Sequence, residues 1–213
     1  IPVWFGPAAV SFDDVYAQIE QLGALTGNMA EAATLVGEMT ADIDEIVAAV
    51  PIYAVVGVGR DDAARAGEVS AILFRKDRFR VAEAGTFWFS DTPSVPGSKS
   101  WGNNITRIST WARFIDRDGR GFQGLDGKAD IALYHFNVHL DHESQPSRER
   151  STVLLKQRID ARAAANEPVI VTGDFNVGER NPALATLVGT GPGDAAAAFV
   201  DTFRVRHPAE TTV

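Results

Sequence analysis

Residues 169–176 read Val-Ile-Val-Thr-Gly-Asp-Phe-Asn, an apolar, β-branched run that stops abruptly on Gly-Asp-x-Asn. The run has the composition of a buried strand. Gly173 lets the backbone turn there, or lets another group come close. In extended chain, side chains two apart share one side, so Asp174 and Asn176 project together at the strand end. A carboxylate and an amide at the mouth of a sheet suit a hard metal ion and a phosphate. The same residues also suit a plain Asx turn after a strand.

A second segment separates these readings. Residues 132–142 read Ala-Leu-Tyr-His-Phe-Asn-Val-His-Leu-Asp-His. With period two, Ile131, Leu133, His135, Asn137 and His139 share one face, and Ala132, Tyr134, Phe136, Val138 and Leu140 share the other. The second face is apolar and is expected in the core. The first starts apolar and turns polar towards its C-terminal end, as a strand does when it enters a site or solvent. Three of the four histidines (His135, His139 and His142) lie in this segment, and the fourth, His207, precedes Pro208. A lone histidine on such a face is more often a satisfied structural group than a catalyst; three together shift the balance.

Asn137-Val-His-Leu-Asp-His142 and Gly173-Asp-Phe-Asn176 resemble the paired signatures of the endonuclease/exonuclease/phosphatase superfamily. Further stretches resemble one bacterial branch of it: Val56-Gly-Val-Gly-Arg-Asp-Asp62, Ile72-Leu-Phe-Arg-Lys-Asp-Arg-Phe79, Gly85-Thr-Phe-Trp-Phe-Ser90, Thr92-Pro-Ser-Val-Pro-Gly-Ser98 and Arg107-Ile-Ser-Thr-Trp-Ala-Arg113. The resemblance covers roughly residues 35–208, with several independent matches in the right order. It implies an α+β fold, a four-layer α/β/β/α sandwich with the site at one end of the two sheets. One domain over residues 1–213 is expected, incomplete at both termini. The residues alone reach only α+β or α/β, from strands in the middle with helices at intervals.

The resemblance also implies a mechanism: a divalent metal, Mg²⁺ or Mn²⁺, binds the scissile phosphate while water attacks in line. Carried over by motif, Asp174 and Asn176 match the carboxylate and amide that handle nucleophile and phosphate, and His139 matches a phosphate-contacting histidine. Glu38 matches the metal-binding glutamate, and is expected at the end of a short strand before a helix. Its motif normally reads Leu-Gln-Glu, and Val36-Gly37 departs from it. Glu68 matches an acid that supports the catalytic histidine; an ordinary exposed residue before a strand is the plainer reading. Arg107, at a strand start, and Asn137 are candidate substrate contacts, with a surface ion pair the alternative for Arg107. Two expected pieces are missing. No Asn stands in Ile1-Pro-Val-Trp-Phe-Gly6, and no Ser-Asp-His follows Asp201-Thr-Phe-Arg204. The chain is therefore expected to continue beyond Val213 in its parent, and to be a poor catalyst as it stands. His142 is the one local substitute base, and strand phase turns it away from His139.

Composition bounds the rest. A chain of 213 residues with 45% apolar content can bury a sizeable core. It has no cysteine, which removes disulfides and thiolate zinc sites and leaves the compartment, cytoplasmic or exported, open. A net charge of −8 argues against non-specific grip on nucleic acid, although a metal can supply local positive charge. No run of 18 apolar residues suggests a membrane span.

Helical spacing predicts helices over 12–25, with Ser11 as cap, over the second half of 28–50 after Glu38, and over 144–165 with a solvated basic face. Strands are predicted over 52–58 and 68–90, broken at Lys76-Asp77 and Ala84-Gly85. Residues 91–104 read as a rim loop in which Trp101 stacks on a base or sugar, or packs. Asp116–Arg120 and Gly124–Gly127 read as turns. Gly189-Thr-Gly-Pro-Gly193 lacks the Gly-Lys-Ser/Thr ending of a P-loop, and no Gly-x-Ser-x-Gly elbow marks a serine hydrolase. Two function classes follow: a metal-dependent phosphoester hydrolase, whether phosphodiesterase, nuclease or phosphatase, or a catalytically inactive relative binding phosphorylated ligands or a protein partner. Nucleic acid, sugar phosphate, inositol phosphate and phospholipid headgroup all remain open as substrate, and a monomer is expected.

Overall fold

The computed structural model describes residues 12–118, 131–188 and 199–208. The Ser11 cap, the Ile1–Gly6 segment, the Gly124–Gly127 turn and the Gly189–Gly193 loop lie outside those residues. The elements run α1 (Phe12–Thr26), α2 (Met29–Ala49), β1 (Tyr53–Val56), β2 (Ile72–Arg75), β3 (Phe79–Trp88), β4 (Ile108–Asp116), β5 (Ile131–His139), α3 (Gln145–Asp160), β6 (Val169–Asp174), α4 (Pro182–Val188) and α5 (Thr202–Arg206). The fold is α+β. No helix among the described residues is long and apolar enough to cross a membrane.

The larger sheet has the order β3-β4-β5-β6. Its first two pairings are antiparallel, and β5–β6 is parallel, with α3 as the crossover. The expected break at Ala84-Gly85 is absent. The chain continues as β3, and the irregularity falls instead between Val81 and Glu83. Gly85 serves packing: a Cβ there would lie 2.9 Å from the Trp111 indole nitrogen on β4.

The parity read from β5 holds. Tyr134, Phe136, Val138 and Leu140 join Phe87, Phe89, Leu155, Ile159 and Leu187 in the core beneath α3 and α4. On the opposite face Leu133 joins Ile72, Ala112 and Phe114 in a second cluster beneath the β1–β2 pair. Helices, the large sheet and the small sheet thus form α, β and β layers. The outer face of the small sheet stays exposed at Val55 and Leu73. α1 and α2 pack on each other, Gly23 facing Ala32 so closely that no Cβ would fit.

α3 starts where predicted, its Ser144 hydroxyl accepting from Ser147 N–H with Pro146 in the first turn. It ends at Asp160, short of the predicted 165. β6 is less buried than its sequence suggests, because it is a sheet edge: Ile170 is 45% exposed. Trp101 packs beside the first core and donates its indole N–H to Asp91.

Candidate active site

The register of the parallel pair brings His139 opposite Asp174 at the C-terminal ends of β5 and β6. Gly173 makes this approach possible. Its φ is +133°, and a Cβ would lie 2.0 Å from the Val138 carbonyl oxygen. Close approach, one of the two roles read from sequence, is what the glycine supplies. Asp174 Oδ1 accepts from the Asn176 backbone N–H at 2.8 Å, closing an Asx turn. Asn176 sits in the left-handed region at φ 50°, which asparagine tolerates. Its side-chain amide donates to the Leu140 carbonyl at 2.9 Å, which ties the turn to the end of β5. The Asx turn read from Gly-Asp-x-Asn is formed, and it leaves Asp174 Oδ2 exposed at the lip.

Glu68 completes the group from the opposite side. Its Oε2 is 3.4 Å from His139 Nδ1, while His139 Nε2 is 3.9 Å from Asp174 Oδ2. The imidazole is 24% exposed, against 58% for Glu68 and 63% for Asp174. Arg60 donates to the same Glu68 oxygen at 2.5 Å. Burial holds the His139 pKa below its ordinary value; the nearby Arg107 charge pushes the same way, and Glu68 and Asp174 oppose it. The ring is neutral at pH 7.

Asn137 serves as a brace. Its amide donates to the Ala71 carbonyl at 2.8 Å, and its oxygen accepts from Thr172 at 3.1 Å. The Thr172 hydroxyl also meets His135 Nε2 at 2.8 Å. These bonds join β5, β6 and the strand that follows Glu68, and so fix Glu68 against His139. Both polar ends of Asn137 are engaged within the protein.

Arg107 is only 3% exposed, and Asp141 1%. Arg107 Nε donates to Asp141 Oδ2 at 3.3 Å, and Nη2 donates to His142 Nδ1 at 2.6 Å. Asp141 Oδ1 accepts from the N–H groups of Glu143 and Ser144. Burial alone would raise the Asp141 pKa, but these N–H donors and Arg107 hold it below the usual carboxylate value. The guanidinium thus braces the turn after β5 from inside, and the surface ion pair considered for it is instead a buried one.

Glu38 lies elsewhere than expected. The predicted strand end is absent, and Glu38 sits exposed in the middle of α2. Ala, Leu, Met and Glu dominate this stretch, and all favour helix. Among the described residues no group of three or more His, Cys, Asp or Glu is placed to hold a metal ion. The structure therefore brings Glu68, His139, Asp174 and Asn176 together, with Asn137 and Arg107 as supports behind them. Sequence reading missed Arg60 and the Arg107–Asp141 pair. β5 ends at His139, so strand phase does not govern His142, which turns its Nδ1 to Arg107.

No family model matches the chain. A Bacteroides thetaiotaomicron endonuclease/exonuclease/phosphatase family protein superposes with a TM-score of 0.61 at 36% identity, over 70% of this chain and 50% of its own. A mannosyl-6-phosphatase of the same species gives a TM-score of 0.61 at 29% identity, over 85% of this chain and 64% of its own. An uncharacterized protein of Acanthamoeba polyphaga mimivirus is 33% identical over 96 residues, 44% of this chain and 31% of the viral protein. The chain spans about half the length of the first structure and under two thirds of the second. Sequence signatures and superposition agree: the fold is that of endonuclease/exonuclease/phosphatase family proteins.

Proposed function

We propose that this domain hydrolyses phosphoester bonds with the help of a divalent metal, water attacking in line at the Glu68–His139–Asp174 group. The observation that carries the reading is the convergence of these three side chains, from three different segments, at the exposed end of the sheets. The mannosyl-6-phosphatase similarity adds sugar phosphates to the front of the substrate list.

Roles follow from the contacts. Glu68 beside Nδ1 favours the ring proton there, which leaves the Nε2 lone pair facing Asp174. A neutral imidazole in that state can accept a proton from a water lying between Nε2 and the phosphorus. Arg60 holds Glu68 in place. Asn176 and Gly173 set the position of Asp174.

Asp174 Oδ2 and the Asn176 side-chain oxygen are hard donors of the kind Mg²⁺ or Mn²⁺ accepts. Such ions commonly bind through one or two carboxylates plus substrate oxygens, so a full protein cage is not required. When bound, the ion would neutralise charge on the phosphoryl oxygens. Glu38 contributes to that ion only if α2 is brought to the site.

The second reading, a phosphate-binding domain without turnover, is favoured by one observation. The Glu68 oxygen nearest His139 is also the one that Arg60 holds, which weakens its pull on the ring. One experiment separates the two. Hydrolysis of bis-p-nitrophenyl phosphate and p-nitrophenyl phosphate is followed with Mg²⁺, with Mn²⁺ and with EDTA, for the wild type and Asp174→Ala. The enzyme reading expects metal-dependent turnover that Asp174→Ala largely abolishes. Turnover that persists in EDTA would sink it, and metal-dependent phosphate binding without turnover would support the second reading.

A further inference from the structure

The turn after β5 carries a second imidazole that the site just described does not use. His142 accepts a hydrogen bond at Nδ1 from Arg107 Nη2, at 2.6 Å. A guanidinium only donates, so Nδ1 must offer its lone pair. The remaining ring proton therefore sits on Nε2, and the imidazole is neutral in the Nε2–H form. That proton has no acceptor among the described residues. The nearest carboxylate oxygen, Glu143 Oε1, is 3.6 Å away, beyond hydrogen-bond reach. The other Glu143 oxygen accepts from Asn104 at 2.9 Å. The His142 side chain is 44% exposed, so the free N–H is open to solvent.

Its position is fixed from behind. Arg107 is buried, and Asp141 holds it through Nε. Asp141 is in turn held by the first N–H groups of the α3 approach, and Arg148 donates to the Asp141 carbonyl at 2.7 Å. The turn cannot rotate His142 away without breaking several of these bonds. His142 is joined to the reacting group by a short stretch of chain. It follows His139 by three residues, Leu140 between them is tied to Asn176, and Arg107 lies near enough to influence the His139 ring.

We infer that His142 is a substrate-contacting hydrogen-bond donor of the phosphate site, and that Arg107 is the positioning residue that sets its tautomer. The inference rests on the phosphoester reading above and adds a specific division of labour. His139 presents a lone pair at Nε2 and takes a proton, whereas His142 presents an N–H at Nε2 and gives a hydrogen bond to a phosphate oxygen. The two rings carry opposite tautomers because one faces a carboxylate and the other a guanidinium.

The test uses the full chain labelled with ¹⁵N in its histidine rings, titrated with inorganic phosphate in the presence of Mg²⁺. The expected result is that, before phosphate is added, His142 shows an unprotonated Nδ1 and a protonated Nε2, and His139 shows the reverse. Phosphate then shifts the His142 and His139 signals together. His142→Ala weakens phosphate affinity roughly ten-fold, the size expected for one hydrogen bond to a charged group. His142→Gln, whose amide can reach the Nε2 position, recovers part of the loss. Arg107→Gln returns His142 to a mixture of tautomers and weakens phosphate in the same direction. A shift at His139 with none at His142 overturns the inference and leaves the phosphate site standing. No shift at either ring overturns both. Unfolding of the variants is monitored alongside, and His142→Gln keeps the test open if Arg107→Gln fails to fold.

Discussion

Gly173→Ala is the most informative single change, because one methyl group acts on both the fold and the site. An ideal Cβ would sit 2.0 Å from Val138 O and 2.6 Å from Val138 N. Cβ contacts shorter than about 3.0 Å are essentially never tolerated, so the Val138–Gly173 pair must open by about 1.0 Å (3.0 − 2.0). The φ of +133° adds strain for any L side chain. Backbone strain of this kind costs about 1–3 kcal/mol, and forcing a methyl into filled space costs about 1–3 kcal/mol more. Together they predict a loss of roughly 2–6 kcal/mol. Asp174 is the next residue, so the same opening shifts its carboxylate from His139 by about the same distance. A misplacement of about 1 Å at a reacting group can cost about 10²-fold in rate. Urea unfolding followed by tryptophan fluorescence and circular dichroism gives the stability change, and p-nitrophenyl phosphate turnover gives the rate. A stability change under about 0.5 kcal/mol with an unaltered m-value would refute the reasoning, because that lies within ordinary surface-substitution scatter.

Three other outcomes are expected. Leu155→Ala, which truncates a fully buried side chain between α3 and the sheet, should cost about 2–5 kcal/mol in denaturant unfolding and leave phosphate affinity unchanged. Asp141→Asn strands the Arg107 charge in the interior, and breaking such a buried pair costs about 3–5 kcal/mol. Because the folded pKa of Asp141 is depressed, its contribution is present above the unfolded carboxylate value of about 3.9 and lost as pH falls through the lower folded value. An acid titration by circular dichroism reads this. His135 and His139 both lie below the ordinary 6.5, His135 through burial and His139 through burial and then Arg107. The unfolded chain therefore takes up protons first, and stability declines as pH drops below about 6.5 towards the folded values. His139→Gln should flatten that decline in urea midpoints measured from pH 7.5 to 5.0, and an unchanged slope would contradict the assignment.

The sequence made β5 legible because period-two alternation survives wherever a strand has one face in each of two cores. It made Gly173 legible because a glycine before an Asx turn has few other uses. Glu38 could not be read the same way: helix-favouring neighbours on both sides outweigh a three-residue motif. The exposure of Ile170 was hidden because a β-branched run looks the same in a central strand and at an edge. Arg107 is the clearest case of information absent from local sequence. Its partners Asp141 and His142 lie 34 and 35 residues away, and only the β4–β5 register brings them together. Strand phase does not govern His142, because the strand stops three residues earlier.

The central claim is that Asp174 and His139 frame one phosphate and its metal. Anomalous diffraction from crystals grown with Mn²⁺ and inorganic phosphate tests it directly. A manganese peak within about 2.1–2.3 Å of Asp174 Oδ2, with phosphate density between it and the His139 ring, is the predicted result. A well-occupied manganese and phosphate site away from Asp174, with the Asp174–His139 lip empty, would contradict the account.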